Sequence, residues 1–217
     1  MHTFRPPFKT VRRFCALAVF LGAQGAAQAQ EPGEFGINLG VSTLGPTIEG
    51  TYRISDKLGV RVPAGYFGGD FDTSEDGIDY DLNASIGGIG LLADYYPLSG
   101  GLRLSGGAFL SKYEADGTGQ GSGQIGDTIY NNIDLAFDAE AENYVMPTLS
   151  LGYDGSIGQR WTLSADLGAM YTGGFDVTLQ DRSGQVSQSD IDAEIANIEG
   201  DAPDFIPYVK LSVGFRF

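Results

Sequence analysis

Histidine and cysteine are almost absent from this chain. Its 217 residues include one histidine and one cysteine, and both lie before position 30, at His2 and Cys15. Histidine is the usual general base near neutral pH, and histidine and cysteine supply most zinc ligands. Without residues 1–29, the chain has neither residue for catalysis, for a zinc site or for a disulfide. The sequence therefore predicts a protein that is not an enzyme and that carries no cofactor.

Long apolar runs are also missing, apart from one short stretch near the start. Residues 1–14 carry four bases and no acid, and the apolar stretch CALAVFLGAQGAA then leads to the tripeptide Ala27-Gln28-Ala29. This order is typical of a secretory signal peptide, and the stretch is shorter than the ~20 residues of a membrane-spanning helix. We expect residues 1–29 to be cleaved and residues 30–217 to form one domain. A short N-terminal helix of the mature protein is the alternative.

Positive charge is scarce in the predicted mature chain. Removal of four bases and no acid reduces 13 bases against 28 acids to 9 against 28, a net charge of −19. Such a surface repels polyanions, so no nucleic-acid partner is expected. Glycine is plentiful instead, because the 33 glycines are about twice the usual share, and aromatic residues make up 12%. This composition is typical of an all-β chain, and a soluble β-sandwich would share it.

Alternation of apolar and polar residues dominates the rest of the sequence. It predicts strands with one apolar face in eight segments: 35–42, 47–54, 58–66, 84–96, 102–113, 144–153, 161–171 and 208–217. The connections run short, short, long, short, long, short, long, so all long loops fall at one end of an up-and-down array. This sorting and the even strand number are typical of transmembrane barrels. The sequence therefore predicts an all-β fold, an eight-stranded antiparallel transmembrane β-barrel with three long extracellular loops and short periplasmic turns.

The two faces of the predicted strands differ in chemistry. The apolar face carries aromatics near many strand ends, as expected of a lipid-facing girdle: Phe35, Tyr66, Tyr95, Tyr153, Trp161, Tyr171, Phe215 and Phe217. The other face carries charges: Glu49, Arg53, Arg61, Asp94, Arg103, Asp166, Lys210 and Arg216. Eight strands enclose only enough room for side chains, and an unpaired buried charge is costly, so these charges must pair. The network is either a polar structural core or the lining of a narrow solute path.

Acidic residues are concentrated in the three long connections. We expect an acidic rim that attracts cations, including divalent ions. Asp72, Ser74 and Asp76 resemble the opening of a calcium loop, although Asn83 stands where the bidentate glutamate is needed, and a solvated acidic rim is the alternative. In the third connection, isoleucines at helical spacing predict a helix over 189–200, with Ser189 or Asp190 as its cap.

The end of the chain, YVKLSVGFRF, has apolar residues at alternate positions and a terminal phenylalanine. With the signal peptide, the eight strands and the long loops, it resembles the small outer-membrane barrels of Gram-negative bacteria, the OmpA, OmpX and OmpW types. The resemblance implies an integral protein of the outer membrane that is in contact with outer-membrane lipid. It also implies that Phe215 and Phe217 act as an assembly signal for the barrel assembly machinery.

Two functions are compatible with these features. The first is a small porin-like uptake barrel for small cationic or zwitterionic solutes, because an acidic rim concentrates cations at the mouth. The second is a closed structural or surface-interaction barrel, for adhesion or ion binding, that transports nothing. Both need the same residue types in the lumen.

Overall fold

The computed structural model describes residues 32–75, 78–98 and 100–217, without the side chains of residues 73–78. The predicted signal peptide therefore lies outside the described residues. The elements are β1 (Phe35–Ser42), β2 (Gly45–Ser55), β3 (Leu58–Glu75), β4 (Ile78–Tyr95), β5 (Leu102–Ile125), β6 (Thr128–Ala141), β7 (Val145–Ile157), β8 (Trp161–Tyr171), β9 (Phe175–Asp181), α1 (Gln188–Asp201) and β10 (Phe205–Arg216).

Eight of these strands close into an antiparallel barrel. The order around the barrel is β1-β2-β3-β4-β5-β7-β8-β10, and β10 pairs with β1 to complete it. A closed barrel leaves no unpaired strand edge, which hydrocarbon surroundings require because they offer no water to the backbone. The predicted eight-stranded up-and-down barrel is confirmed. We call the end with the short turns the turn end.

The outside of the barrel is an apolar band. Large aliphatic side chains are strongly exposed there, such as Leu39 at 62%, Leu149 at 70% and Leu167 at 62%. Aromatic pairs flank the band, with Trp161 against Phe215 near the turn end and Tyr171 against Phe205 near the opposite end. Apolar surface on this scale marks a lipid-facing exterior, and the aromatics lie where a girdle is expected.

The three long connections are built largely from β-structure. Beyond the barrel, β3 and β4 continue as one hairpin, while β5 continues to Ile125 and pairs with β6, which pairs with β9. We call residues 66–75, 78–86, 111–141 and 175–201 the hood. The first predicted loop, between residues 66 and 84, is thus an extension of two barrel strands.

The hood has a hydrophobic core of its own. Helix α1 packs Ile191 against the sheet, in a buried cluster with Ile125, Ile133, Leu135 and Leu179. The predicted helix is present, but its cap is neither Ser189 nor Asp190: the side chain of Ser187 accepts the Asp190 N–H. Within the described residues, no helix is long and apolar enough to cross a membrane.

A buried carboxylate also anchors α1. Glu194 is 5% exposed, and its Oε2 accepts a hydrogen bond from the Gly126 N–H at 2.9 Å. Burial raises the pKa of Glu194, although this hydrogen bond acts in the opposite direction. Relative to the unfolded chain, the folded hood favours the protonated form, so its stability falls as pH rises from the ordinary carboxyl pKa through the raised pKa, because a buried charge then has to form.

Candidate functional site

All eight charges predicted on the inner face lie inside the barrel. Each is at most 6% exposed: Glu49, Arg53, Arg61, Asp94, Arg103, Asp166, Lys210 and Arg216. They come from β2, β3, β4, β5, β8 and β10, since alternate residues of every strand point inward. Six of them form one connected network, which we call the lumen network, and Arg53 and Arg216 lie outside it at the turn end.

Arg61 is the centre of the lumen network. Its guanidinium contacts three carboxylates: Nε lies 2.7 Å from Asp94 Oδ2, and Nη1 lies 3.0 Å from Glu49 Oε2 and 3.2 Å from Asp166 Oδ2. Its Nη2 also donates to Ser105 Oγ at 2.9 Å. The planar fork of arginine can serve several acceptors at once, so one base holds acids from three strands together.

The other two bases, Lys210 and Arg103, contact Asp166 along one line of paired residues across neighbouring strands. Lys210 is the ladder partner of Asp166, and their side-chain atoms lie 3.2 Å apart. Arg103 reaches the same carboxylate at 2.8 Å across Gly152. A Cβ on Gly152 would lie 2.8 Å from the Arg103 guanidinium carbon and 2.7 Å from Asp166 Oδ1. Glycine at this position therefore makes room for the ion pair.

Asp154 belongs to the network although the sequence analysis missed it. It forms an ion pair with Arg103 and accepts hydrogen bonds from Ser164 Oγ at 2.6 Å and Tyr96 Oη at 3.0 Å. The predicted strand ends at Tyr153, whereas β7 continues to Ile157 and includes Asp154. The signal was present, because Ser150, Gly152 and Asp154 continue the inward alternation of β7.

The hood half of the lumen is filled by apolar side chains. The cluster is fully or almost fully buried and consists of Leu44, Leu92, Phe109, Tyr113, Met146, Met170 and Tyr208. Leu44 comes from the tight turn between β1 and β2, where it is 0% exposed. At the turn end, a cavity of about 20 Å³ has room for about one water molecule. The barrel thus has a charged layer and an apolar layer in series.

A second charged surface lies on the hood. Strand alternation places ten acids on the side of the sheet that continues the lipid-facing side of the barrel: Asp70, Asp72, Asp79, Asp81, Glu114, Asp116, Asp134, Asp138, Glu140 and Asp176. We call this surface the acidic face. Lys112 joins it as a base paired with Glu114.

Like charges stand directly opposite each other on the acidic face. Asp116 is the ladder partner of Asp138, and Glu140 lies between Glu114 and Asp176 on the neighbouring strands. Opposed like charges destabilise a sheet by a few tenths of a kcal/mol to about 1 kcal/mol for each pair. Stability does not explain this arrangement, so the acidic face is a candidate binding surface.

The spacing of the acids in the sequence also predicts the acidic face. The acids come in pairs two residues apart, Asp70 with Asp72, Asp79 with Asp81, and Asp138 with Glu140. Such spacing puts both members of a pair on one face of a strand. The pairs lie in the first two long connections, where polar residues favour a loop.

The calcium candidate residues do not form a loop where the structure describes them. Asp72 and Ser74 lie in β3, opposite Asp81 and Asp79 of β4, and Asp76 lies outside the described residues. Within the described ranges, no group of three or more His, Cys, Asp or Glu could hold a metal ion. Calcium binding here stays a prediction.

The predicted assembly signal lies at the turn end. Phe217 follows the last residue of β10 and is 69% exposed, and its ring lies 5.3 Å from that of Phe215 and 6.2 Å from that of Phe35. The Phe217 N–H donates to the Phe35 carbonyl at 2.9 Å. The chain end is thus attached to the first strand, while its ring faces outward.

Comparison with known proteins identifies the fold. No family model and no curated protein matches the sequence. Among solved structures, CarO from Acinetobacter baumannii has a TM-score of 0.62 at 20% identity, over 84% of this chain and 97% of that one. CarO2 from the same organism has a TM-score of 0.65 at 20% identity, over 87% and 100%. The chain therefore has the fold of a bacterial outer-membrane β-barrel.

Proposed function

We propose that this chain is a closed outer-membrane barrel that holds the acidic face at the outer surface to bind an extended cationic partner. The observation that carries the proposal is the filled lumen. A charged layer around Arg61 and an apolar layer around Phe109 occupy the two halves of the barrel. A closed lumen leaves the hood as the part of the protein that can meet a partner.

Passage of a solute would require both layers to move. The charged layer holds each of its acids by at least one buried ion pair, and breaking a buried pair costs about 3–5 kcal/mol. The uptake function stays a prediction, and the packing favours the second function, a surface-interaction barrel.

The spacing of the acids favours a chain-like partner over a chelated ion. On β3, β4, β5 and β6, acids lie in pairs two residues apart, about 7 Å, and neighbouring strands are about 4.8 Å apart. An extended basic peptide presents alternate side chains at the same interval of about 7 Å. Since the described acids form no compact ligand group, charge spread along rows suits an extended polycation better than a single metal ion.

Planar-bilayer recording tests the closed lumen. The refolded full chain should insert without reproducible conductance steps, because about one water fits in the cavity at the turn end. Heat-modifiable migration in electrophoresis serves as the control for correct folding. Reproducible cation-selective steps from folded protein would support the uptake function and contradict the closed barrel.

Binding of a fluorescent decalysine peptide tests the acidic face. We expect Asp116→Asn combined with Asp138→Asn to weaken binding by about 3- to 10-fold at low salt, since two partly exposed contacts are lost. Fluorescence anisotropy of the refolded barrel in a zwitterionic detergent measures the affinity.

A matched double variant separates the effect of the acidic face on binding from the effect of total net charge. Asp127→Asn with Asp192→Asn also removes two acids, from exposed hood positions off the acidic face, and should change the affinity by less than about twofold. Equal losses in the two double variants would mean that decalysine senses only the total charge, and the proposal would fail.

A further inference from the structure

Arg53 is a buried cation without a counter-ion. It is 1% exposed, and within the described residues no carboxylate oxygen lies within 4.0 Å of its nitrogens. Nη2 donates to the Asp56 carbonyl at 2.6 Å, while Nε and Nη1 are buried without a hydrogen-bond partner. A buried guanidinium in this state is costly unless a further group satisfies it.

The ion pairs of the lumen also leave Arg53 without a carboxylate partner in the described part of the chain. Among the described residues, five bases are buried in the lumen, Arg53, Arg61, Arg103, Lys210 and Arg216, and four acids lie beside them, Glu49, Asp94, Asp154 and Asp166, with Glu34 as a fifth acid at the rim. The four acids all belong to the lumen network around Arg61 and Arg103. Arg216 has Glu34 at the rim, 3.7 Å away, so these acids equal the bases in number, and Arg53 is the base that has no ion pair among the described residues.

Arg53 lines a cavity that contains several hydrogen-bond donors. The cavity of about 20 Å³ at the turn end is lined by Arg53, by Arg216, whose Nε is also buried without a partner, by hydroxyl residues such as Thr51 and Thr162, and by one carboxylate, Asp154, which is paired with Arg103. The Tyr96 ring covers one face of the Arg53 guanidinium at 3.3 Å. A ligand must therefore approach along the guanidinium edge, where its N–H groups point.

We propose that this cavity is a binding site for one small inorganic anion of about the size of chloride. The ligand would accept hydrogen bonds from Arg53 and Arg216 and act as the counter-ion of Arg53. The cavity has room for about one water-sized particle, which suits a monatomic anion better than sulfate or an organic phosphate. The anion completes the charged layer at the turn end and strengthens the closure of the lumen. This site is independent of the acidic face.

Halide-dependent stability of the refolded full chain tests the site. The unfolding midpoint is measured in chloride, bromide and gluconate at constant ionic strength. We expect chloride and bromide to raise it saturably, by about 3–5 °C at roughly ten times the dissociation constant. Gluconate, which is too large for the cavity, should give no shift. Equal midpoints in all three salts would overturn the proposal.

Two variants link the shift to the cavity. Arg53→Gln should abolish the halide shift, whereas Lys57→Gln, which removes an exposed base from the neighbouring turn, should keep it. If Arg53→Gln does not fold, Thr51→Val provides a milder change of the lining and should weaken halide binding. Anomalous scattering from crystals grown in bromide gives a direct readout. A bromide peak beside Arg53 supports the site, and density without anomalous signal contradicts it.

Discussion

Replacement of Arg61 by methionine should lower the free energy of unfolding by at least about 3–5 kcal/mol. Methionine has a similar length and no charge, so the change removes the cation without opening a large gap. Glu49, Asp94 and Asp166 would then lose a shared partner while they remain in the lumen. Urea unfolding of the barrel in micelles, followed by emission of the single tryptophan, Trp161, measures the loss.

Two further variants show whether the loss comes from uncompensated charge. Lys57→Met removes an exposed base and should change the stability by less than about 0.5 kcal/mol. Adding Asp94→Asn to Arg61→Met should recover part of the loss, since one of the stranded acids becomes neutral. A loss below about 1 kcal/mol for Arg61→Met would mean that water compensates the acids, which a closed lumen does not allow.

The inward position of the eight charges could be predicted because a strand has a period of two. A slip of one residue would turn every side chain to the other face, so an apolar face that suits lipid also determines the lumen face. The partners could not be predicted. Arg61 meets Asp166 across the lumen, and Arg103 meets it over Gly152, and both contacts depend on the stagger of strands far apart in sequence.

The hood could not be predicted because local composition opposes it. Aspartate and glycine are poor strand formers, so segments such as GGDFD favour a loop. In the folded chain, these segments prolong strands that the barrel has already paired, and residues such as Phe71 and Leu82 continue the existing ladder. Tertiary context overrides the local preference. The sequence predicts only that the turn with Leu44 is short, and the role of Leu44 in the apolar layer depends on the same tertiary context.

The packing of the barrel and the hood compensates the free-energy cost of the opposed like charges on the acidic face. Each opposed pair on the acidic face destabilises its sheet by up to about 1 kcal/mol. The closed barrel below and the α1 core behind supply the compensating packing. A lone hairpin with the sequence of β5 and β6 would have neither. The stable lumen and the acidic face are therefore linked, because a closed and well-packed barrel permits a destabilising surface.

Replacement of Phe217 by alanine should separate folding in vitro from assembly in cells. The ring is 69% exposed and lies outside β10, so the refolded variant should lose little stability. The resemblance to small outer-membrane barrels implies that the assembly machinery reads this terminal phenylalanine, so insertion in cells should fall several-fold. The heat-modifiable fraction in outer-membrane preparations, compared with that after refolding in detergent, measures both effects.

The matched control for Phe217 is another exposed aromatic on the same strand. Phe205 lies at the opposite end of β10 and is 60% exposed, so Phe205→Ala removes a similar lipid contact and leaves the chain end intact. We expect this variant to insert normally. Equal insertion defects would trace the loss to lipid contact, and normal insertion of Phe217→Ala would remove the residue from the assembly signal. A defect confined to Phe217→Ala in cells would assign recognition to the last residue, since the ring contributes little to the packed barrel.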